Sequence, residues 1–317
     1  MLSRLAFIAY ALLASQSAQP QSYPTKPVRV VVPLAPGGGA DTFGRYVARQ
    51  LSESLGHPFV VENRAGGGGV IGGDYVAKAV PDGYTLLVGG AGQLVASLTY
   101  RKFDMQNDFT PIIMMMDQPS LLVVHSSLPV RNVAELIKLA RSRPGQLDYG
   151  SAGTGSAGHL VTEMFRIAAK IDIVHIPYKG AGAAMVDLMS GQVSLLLASP
   201  LGALPHVKAG RVRGLAVSGE RRMSGMPEIP TIAESGLPGF NATSFLGLLG
   251  PAALPRDIVT RLNAEALKIA QRPAVRDWFI QQGAEPAAGS PEDFAARIRT
   301  DTRKFETVVR EAKLRLN

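Results

Sequence analysis

Residues 28–55 show three patterns in succession: an apolar run, a glycine-rich turn, and apolar residues at helical spacing. Later parts of the chain repeat this order. The valine-rich start of the stretch 28–55, VRVVV, predicts a buried strand. A glycine-rich turn at 36–41 follows, after which Phe43, Val47 and Leu51 recur at helical spacing. A helix that begins after such a turn leaves free backbone N–H groups at its N-terminus, where the helix dipole favours negative charge. The stretch therefore predicts either an anion site built from main chain or an ordinary connection between a strand and a helix.

Two nucleotide-binding motifs fail in the glycine-rich segments. No Gly-Lys-Ser or Gly-Lys-Thr follows Gly37, so this turn is not a phosphate-binding P-loop. A dinucleotide fingerprint that starts at Gly37 has Thr42 where its third glycine belongs. Gly67, Gly69 and Gly72 do satisfy G-x-G-x-x-G, but they lie several residues past the preceding strand, in a glycine run that matches many patterns. We therefore predict no nucleotide cofactor.

The pattern of strand, loop and helix recurs along the first part of the chain. Residues 59–62 predict a second strand, and residues 85–88 predict a third strand that ends at the glycine loop 89–92. This repetition predicts an open parallel α/β sheet. Ligands of such sheets bind beyond the carboxyl ends of the strands, so we expect the glycine loops on one edge.

A second unit of the same kind begins at residue 147. A short strand at 147–150 leads into the small-residue loop 151–156 and then into a helix at 160–169. Further strands are predicted at 171–176, 193–197 and 212–217. Another helix N-terminus is thus offered to an anion, here with the hydroxyl groups of Ser151, Thr154 and Ser156 beside it.

We predict two α/β domains joined by two hinge strands. The chain is expected to leave the first domain near 124–126 and to return near 217–219, which gives domain 1 as 23–124 plus 219–317 and domain 2 as 125–218. The C-terminal helices have no sheet of their own and must pack on an earlier one. The last of them starts with Ser290 as N-cap and Asp293 in its first turn. Two helix termini facing each other across a cleft would clamp an anion.

Composition narrows the classes of function. The chain has 33 basic and 25 acidic residues, a formal charge of +8, and no cysteine. Disulfides and thiolate metal sites are therefore excluded, and no His-Glu-x-x-His or clustered metal-ligand spacing occurs. Basic charge with few interleaved aromatic residues does not indicate nucleic acid but suits small anions. Arg4, the apolar segment 5–14 and the small residues after it predict a signal peptide over 1–22, and hence a mature chain that is soluble and exported.

The competing class is an esterase-like hydrolase that would use Ser156 as its nucleophile. This serine lies in a glycine-rich turn before a helix, and His159, His175 and His206 are available as partners. The G-x-S-x-G motif fails, however, because Thr154 takes the first glycine position before Ser156. It fails at Ser151 as well, where Tyr149 takes that position. We therefore predict a binding protein with no catalytic residue, no metal and no cofactor.

Several segments together resemble one protein family over almost the whole chain after the signal peptide. These segments are YPTKPVRVVVPLAPGGGAD from Tyr23, VVENRAGGGGVIGGDYVAKAVPDGYTLLVG from Val60, LDYGSAGTGSAGHL from Leu147, IVHIPYKGAGAAMVDLMSGQV from Ile173 and ALPHVKAGRVRGLAVSGERR from Ala203. The chain resembles the substrate-binding proteins of tripartite tricarboxylate transporters, the TctC or Bug family. This resemblance implies the class II periplasmic binding protein fold and the capture of a small carboxylate between two lobes. It also implies membrane permease subunits or a sensor as partner, and a monomer.

The family holds ligand carboxylates mainly through backbone N–H groups and ordered waters. Carried over by position, this implies ligand contacts from the loop at 34–41 and the loop at 151–156. The candidate ligand-binding residues are Leu34, Ala35, Gly37, Gly38, Gly39, Ala40, Asp41, Gly90, Ala91, Ser151, Ala152, Thr154, Gly155, Ser156, Tyr178, Ala198 and Ser199. Within this set Asp41 suits a helix cap better than a ligand contact, and the nearby His159 suits a structural role.

One departure from the family bears on the ligand. Where the family commonly has a Phe-Asp pair, this chain has Leu197 and Ala198, followed by Ser199. A carboxylate at that position could pair with a ligand ammonium, and this chain has none there. We therefore predict a carboxylate ligand without an ammonium group, with room for an apolar or aromatic body beside Leu197. A second departure is the Phe245-Leu246-Gly247 segment, where Trp-Phe-Gly is common.

Overall fold

Residues 23–311 are described in the computed structural model, and the predicted signal peptide lies outside them. Their strands are β1 (Val28–Val32), β2 (Phe59–Asn63), β3 (Thr85–Gly90), β4 (Phe109–Pro119), β5 (Leu121–His125), β6 (Asp148–Ser151), β7 (Val174–Pro177), β8 (Leu195–Ala198), β9 (Val212–Val217), β10 (Thr243–Pro251) and β11 (Glu285–Pro286). Their α-helices are α1 (Gly39–Leu55), α2 (Val70–Ala77), α3 (Ala91–Tyr100), α4 (Val133–Ser142), α5 (Ala157–Ala169), α6 (Ala181–Met189), α7 (Pro200–Lys208), α8 (Arg256–Gln271), α9 (Pro273–Gln281) and α10 (Pro291–Glu311).

The strands form two separate sheets, each the centre of one lobe. The sheet of lobe 1 has six strands in the order β11-β4-β10-β3-β1-β2, and that of lobe 2 has five in the order β7-β6-β8-β5-β9. Strands β1, β2 and β3 pair in parallel, as do β6, β7 and β8. This is the two-domain α/β periplasmic binding protein fold that the sequence predicts.

Helices cover both faces of each sheet. Alternate residues of the central strands are therefore buried in different cores. Val30 and Val32 of β1 pack with α1 and α8, whereas Val31 packs on the other face with α3 and α10. In lobe 2, Leu197 of β8 packs with α4 and α5, and Leu196 packs on the other face with α6 and α7. Strands covered on both faces explain why these segments are continuously apolar. The C-terminal helices α8 and α10 pack on the first sheet, as expected.

The expected parallel pairing holds for only part of each sheet, because both sheets are mixed. Strand β10 is antiparallel to both of its neighbours, β3 and β4, and β5 is antiparallel to β8 and β9. These antiparallel strands are the ones next to the crossings between lobes. A run of apolar residues shows that a strand is buried but does not show its direction, so the sequence pattern could not distinguish the two arrangements.

The crossings between lobes differ from those expected at 124–126 and 217–219. Strand β5 pairs wholly within the second sheet, so the chain changes sheets at Ser120. After β9, the segment 218–242 still covers lobe 2, where Ile232 and Phe240 are buried in its core. The chain enters the first sheet only at Thr243. The strand pairing thus places the changes of sheet at Ser120 and Thr243. The domain bounds of 23–124 plus 219–317 and of 125–218 stay a prediction.

Three passages of the chain lie side by side at the hinge. The Ser120 N–H donates to Ser218 Oγ at 2.7 Å, and the Ser218 N–H donates to the Ser120 carbonyl at 2.9 Å. The Ala242 N–H donates to the Ser218 carbonyl at 2.8 Å, and the Ser218 hydroxyl donates to the Ala242 carbonyl. Ser218 is fully buried.

In the part of the chain described, no helix is long and apolar enough to cross a membrane.

Candidate functional site

A cavity of about 100 Å³ lies between the lobes, at the carboxyl ends of β1, β3, β6 and β8. Its position is the one expected for α/β sheets. Eight of the predicted ligand-binding residues line it: Leu34, Gly39, Ala40, Ser151, Ala152, Ser156, Ala198 and Ser199. The first strand-to-helix loop, the hydroxyl loop of lobe 2 and the end of β8 therefore meet at one cavity.

The other predicted residues lie near the cavity without lining it. Ala35, Gly37, Gly38, Thr154 and Gly155 lie where the two lobes touch. Gly90 and Ala91 are buried at the start of α3, where the Gly90 N–H donates to Gln93 Oε1 at 3.0 Å. The Tyr178 hydroxyl donates to Asp187 Oδ2 at 2.7 Å, within lobe 2. Asp41 is committed to its own loop, as described below.

Several lining residues were not among the predicted ones. Lobe 1 contributes Gly68, Gly92 and Gln93, and lobe 2 contributes Gly150, Ala157, Gly158, Ala181, Ala184, Leu196 and Leu197. The hinge region contributes Gln118, Ser120, Ser244 and Leu246. The three residues of lobe 1 could have been predicted from the sequence, because they lie in or next to glycine-rich loops that precede helices. The hinge residues carry no such signal, since only the crossing of the chain brings them to the cavity.

Helix N-termini from both lobes converge on the cavity in two groups. The α1 pole consists of the first turns of α1 and α6 with Ser199, which precedes α7. The α3 pole consists of the first turns of α3 and α5. The lobes are close at both, since a methyl group on Gly38 would lie 3.4 Å from Ala181 Cβ and one on Gly92 would lie 3.6 Å from the Ala157 nitrogen. The first N–H groups of a helix have no intrahelical partner, so each pole presents donors to the cavity.

The poles lie on opposite faces of the sheets. Helices α1, α6 and α7 pack on one pair of faces, while α3 and α5 pack on the other pair. The ends of the strands lie between them, and Leu34, Leu196, Leu197 and Leu246 supply apolar surface to the same cavity. The arrangement thus has two donor-rich ends with apolar side chains along its walls.

No charged side chain lines this cavity within residues 23–311. Its polar side chains are neutral: glutamines and serines, of which Ser199 donates to Gln118 Oε1 at 2.9 Å. Positive potential there comes from helix dipoles and N–H groups, which favour anions without a formal positive charge. The cavity can therefore hold a carboxylate, whereas an ammonium ion would find no anionic partner on its walls.

Asp41 fixes the shape of the first loop. Its Oδ2 accepts hydrogen bonds from the Gly37 N–H at 3.1 Å and from Arg45 Nε at 3.0 Å, and its Oδ1 accepts one from Asn63 Nδ2 at 2.9 Å. Burial alone would raise the pKa of Asp41, but these hydrogen bonds outweigh it and hold the pKa below its usual range. The Asp41 side chain therefore stabilises the loop, but it does not cap α1, whose N-cap Gly38 has no side-chain hydrogen bond. Its place among the ligand-binding residues stays a prediction.

A buried aromatic cluster supports the loop 151–156 in lobe 2. The rings of His159 and His175 stack with centroids 3.9 Å apart, and Tyr149 stacks on His175 at 4.9 Å. His159 Nδ1 accepts the Gly155 N–H at 3.1 Å, and His175 Nε2 is 2.7 Å from Ser151 Oγ. Burial and the neighbouring His175 lower the pKa of His159 to about 4, so this imidazole is neutral at pH 7. It positions the loop, as the sequence interpretation expected of His159.

The geometry does not support a serine hydrolase. Ser156 Oγ accepts the His159 N–H at 3.3 Å as the N-cap of α5, and the imidazole of His159 is engaged by Gly155 instead. Ser151 does meet His175, but Ser151 Oγ is also bound to the backbone of Gly153. A triad needs a third group that orients the base, and no carboxylate is hydrogen-bonded to His175 among the described contacts.

The lobes touch on both sides of the cavity. The Ala35 N–H donates to the Lys179 carbonyl at 3.3 Å, and the Tyr100 hydroxyl donates to the Thr154 carbonyl at 3.2 Å. Each bond joins lobe 1 to lobe 2. The structure is therefore a closed form, in which the cavity is enclosed by contacts around its rim.

Fold and cavity together define a two-lobed solute-binding receptor. Residues 43–314 match the model of the tripartite tricarboxylate transporter family receptor, TctC, and the chain belongs to this family. Since the family consists of substrate-binding receptors, the prediction of a binding protein rather than an enzyme is confirmed.

Three solved structures show the same architecture. The chain is 38% identical to the protein "R. palustris Rpa4515 with adipate", with a TM-score of 0.89 over 92% of this chain and 98% of that one. It is 31% identical to the periplasmic binding protein BugD, with a TM-score of 0.88 over 92% and 99% of the two chains. It is also 31% identical to MatC (Rpa3494) from Rhodopseudomonas palustris with bound malate, with a TM-score of 0.85 over 90% and 100%.

Proposed function

We propose that this chain is a periplasmic solute-binding protein that captures a small carboxylate without an ammonium group. It delivers that anion to a tripartite tricarboxylate-type permease or to a sensor. The observation that carries the proposal is the cavity itself, where helix N-termini of both lobes converge and no charged side chain among the described residues 23–311 lines the wall. The two relatives described with adipate and with malate support a carboxylate ligand.

The two poles favour a ligand with a carboxylate at each end. One carboxylate would lie at the α1 pole and the other at the α3 pole, each between donors from both lobes. Because the poles lie on opposite faces of the sheets, the connecting part of the ligand spans the strand ends beside Leu196, Leu197 and Leu246. An α,ω-dicarboxylate with an aliphatic spacer fits this description better than a compact hydroxy acid does.

The end of β8 supports the absence of an ammonium group. Ala198 lines the cavity at the position where the family commonly carries an acidic residue, and the next side chain, Ser199, donates to Gln118. A ligand ammonium would lose its hydration there without gaining an anionic partner. Leaving a buried charge unpaired is strongly unfavourable.

A matched set of ligands tests both features by isothermal titration calorimetry. Adipate is the reference, hexanoate lacks one carboxylate, and 2-aminoadipate adds an ammonium group. Losing the hydrogen bonds to one charged group should weaken binding by roughly 10- to 150-fold. Hexanoate should therefore bind more weakly than adipate by this factor. The analogue 2-aminoadipate should also bind more weakly, because its ammonium group would be buried without an anionic partner. Equal binding of hexanoate would refute the second pole, and tighter binding of 2-aminoadipate would refute the argument from Ala198.

Export and delivery need separate tests. The predicted signal peptide supports a periplasmic location, and family membership supports a permease partner. Fractionation of cells expressing the full chain should recover a shortened protein from the periplasm. Cytoplasmic protein that keeps residues 1–22 would contradict the proposed location.

A further inference from the structure

The lobes meet backbone to backbone beside the α1 pole. Gly182 lies in the first turn of α6, and a methyl group there would be 2.7 Å from the Pro36 carbonyl oxygen and 3.2 Å from the Gly37 carbonyl carbon, both across the cleft. A methyl group on Gly180 would lie 2.9 Å from Ala35 Cβ. These separations are shorter than ordinary van der Waals contact, so a side chain at either position forces the lobes apart.

We propose that Gly182 is a positioning residue for ligand capture, because its missing side chain is what allows the lobes to close over the cavity. An alanine at 182 would meet main-chain atoms, which cannot rotate away as a side chain can. The substitution therefore penalises the closed form, while the open form accepts it without contact.

The local structure of lobe 2 gives no other reason for glycine at this position. Residue 182 is helical, and alanine stabilises a helical position relative to glycine. All three atoms nearest to the added methyl group belong to lobe 1: the Pro36 carbonyl oxygen and two main-chain atoms of Gly37. The chain thus keeps a residue that weakens α6, and the contact that explains it exists only when the cleft is shut.

A substitution that destabilises only the closed form weakens ligand binding, because it lowers the fraction of protein in that form. The apparent affinity of a ligand falls with the fraction of protein that can adopt the binding-competent state. Overpacking of a close contact typically weakens such a state enough to lower affinity by roughly 5- to 150-fold. The fold of the separate lobes should be unaffected.

Disulfide trapping measures closure without any ligand. The chain has no cysteine of its own, and a Cβ atom at Gly38 would lie 3.4 Å from Ala181 Cβ, close to the spacing of a disulfide. The double variant Gly38→Cys/Ala181→Cys, reduced and then exposed to oxidised glutathione, should cross-link the lobes within one chain. Adding Gly182→Ala should slow this cross-link by roughly the same 5- to 150-fold. Adding Val186→Ala, at an exposed position of α6 beyond its first turn, should leave the rate unchanged.

Binding of adipate supplies the second readout, and only this arm rests on the proposed function. In the otherwise unchanged chain, Gly182→Ala should weaken adipate binding while the melting temperature without ligand stays the same or rises by roughly one to three degrees. Val186→Ala, outside the first turn of α6, should spare affinity. Gly180→Ala should also weaken binding, and Ala35→Gly should partly restore it by removing the facing methyl group.

The outcomes separate the two proposals. An unchanged cross-linking rate with Gly182→Ala overturns the role of Gly182, whatever ligand the chain binds. Failure of the parent cysteine pair to cross-link, with or without adipate, would overturn the close approach of the lobes at Gly38 and Ala181. A slowed cross-link in a chain that does not bind adipate supports the role of Gly182 and counts against the proposed ligand alone.

Discussion

Acidification should destabilise this protein through His159, and the structure gives the size of the effect. The imidazole is 4% exposed, accepts the Gly155 N–H through Nδ1, and stacks on His175. Tyr149, Glu163 and Arg166 surround it, with Glu163 hydrogen-bonded to both of the others. Protonation of Nδ1 would place a second donor against the Gly155 N–H and a charge beside a second imidazole.

The sign follows from a folded-state pKa of about 4 against an ordinary value of 6.5. The neutral form is favoured by folding, so the contribution is complete above pH 6.5 and is lost as the pH falls towards 4. Between pH 7.5 and pH 4.5 this amounts to roughly 2 to 3 kcal/mol of the free energy of unfolding. The loss should be felt first in the loop 151–156, whose Gly155 N–H loses its acceptor.

Urea unfolding at both pH values, in the wild type and in His159→Gln, isolates this term from other titrating groups. Glutamine stays neutral and keeps an oxygen acceptor for the Gly155 N–H. The wild type should lose roughly 2 to 3 kcal/mol more than the variant between pH 7.5 and pH 4.5. His57→Gln, outside the buried cluster, is the control for removing one imidazole and should follow the wild type. Parallel losses in the wild type and His159→Gln would refute the reasoning.

Three further substitutions test the supports of the cavity, each by urea unfolding. Asp41→Asn removes a buried carboxylate that accepts three hydrogen bonds and should cost about 2 kcal/mol and weaken ligand binding; unchanged stability would contradict its structural role. Ser218→Ala removes the hydrogen-bond partner of two backbone groups at the hinge and should lower the free energy of unfolding by about 1 to 3 kcal/mol. A loss below roughly a few tenths of a kcal/mol would contradict this role of Ser218. Glu163→Gln should lower the free energy of unfolding by a similar amount, because it removes the carboxylate shared by Tyr149 and Arg166. Unchanged stability would mean that these two hydrogen bonds do not stabilise the aromatic cluster.

The sequence predicts well wherever local pattern decides structure. The strand, glycine turn and helix at 28–55 appear as β1 and α1, and the Ser290 cap of the last helix is present, with the Asp293 N–H donating to Ser290 Oγ at 3.0 Å. The loop 151–156 reaches the cavity as expected, since Ser151, Ala152 and Ser156 line it. These features depend on neighbours in sequence, so pattern and capping chemistry are sufficient.

Prediction fails where distant segments meet. Gln118 and Ser244 line the cavity only because β4 and β10 pair across more than a hundred intervening residues. Asp41, which the sequence favours as a helix cap, instead accepts hydrogen bonds from Gly37, Arg45 and the more distant Asn63, and the N-cap of α1 is Gly38 without a side-chain hydrogen bond. The direction of β10 likewise depends on where lobe 2 returns the chain. No local pattern encodes such relations, so a single sequence could not supply them.

The insertion of lobe 2 into lobe 1 imposes an order of assembly. All strands of the second sheet lie between residues 121 and 217, so this lobe has every strand as soon as that continuous segment is available. The first sheet lacks its inner strand β10 until residue 251, and β4 joins the rest of that sheet only through β10. Strands β1, β2 and β3 can pair before that, but β4 and the free edge of β3 have no partner strand in lobe 1 until β10 arrives. A chain that crosses a membrane from its N-terminus would complete its first lobe last.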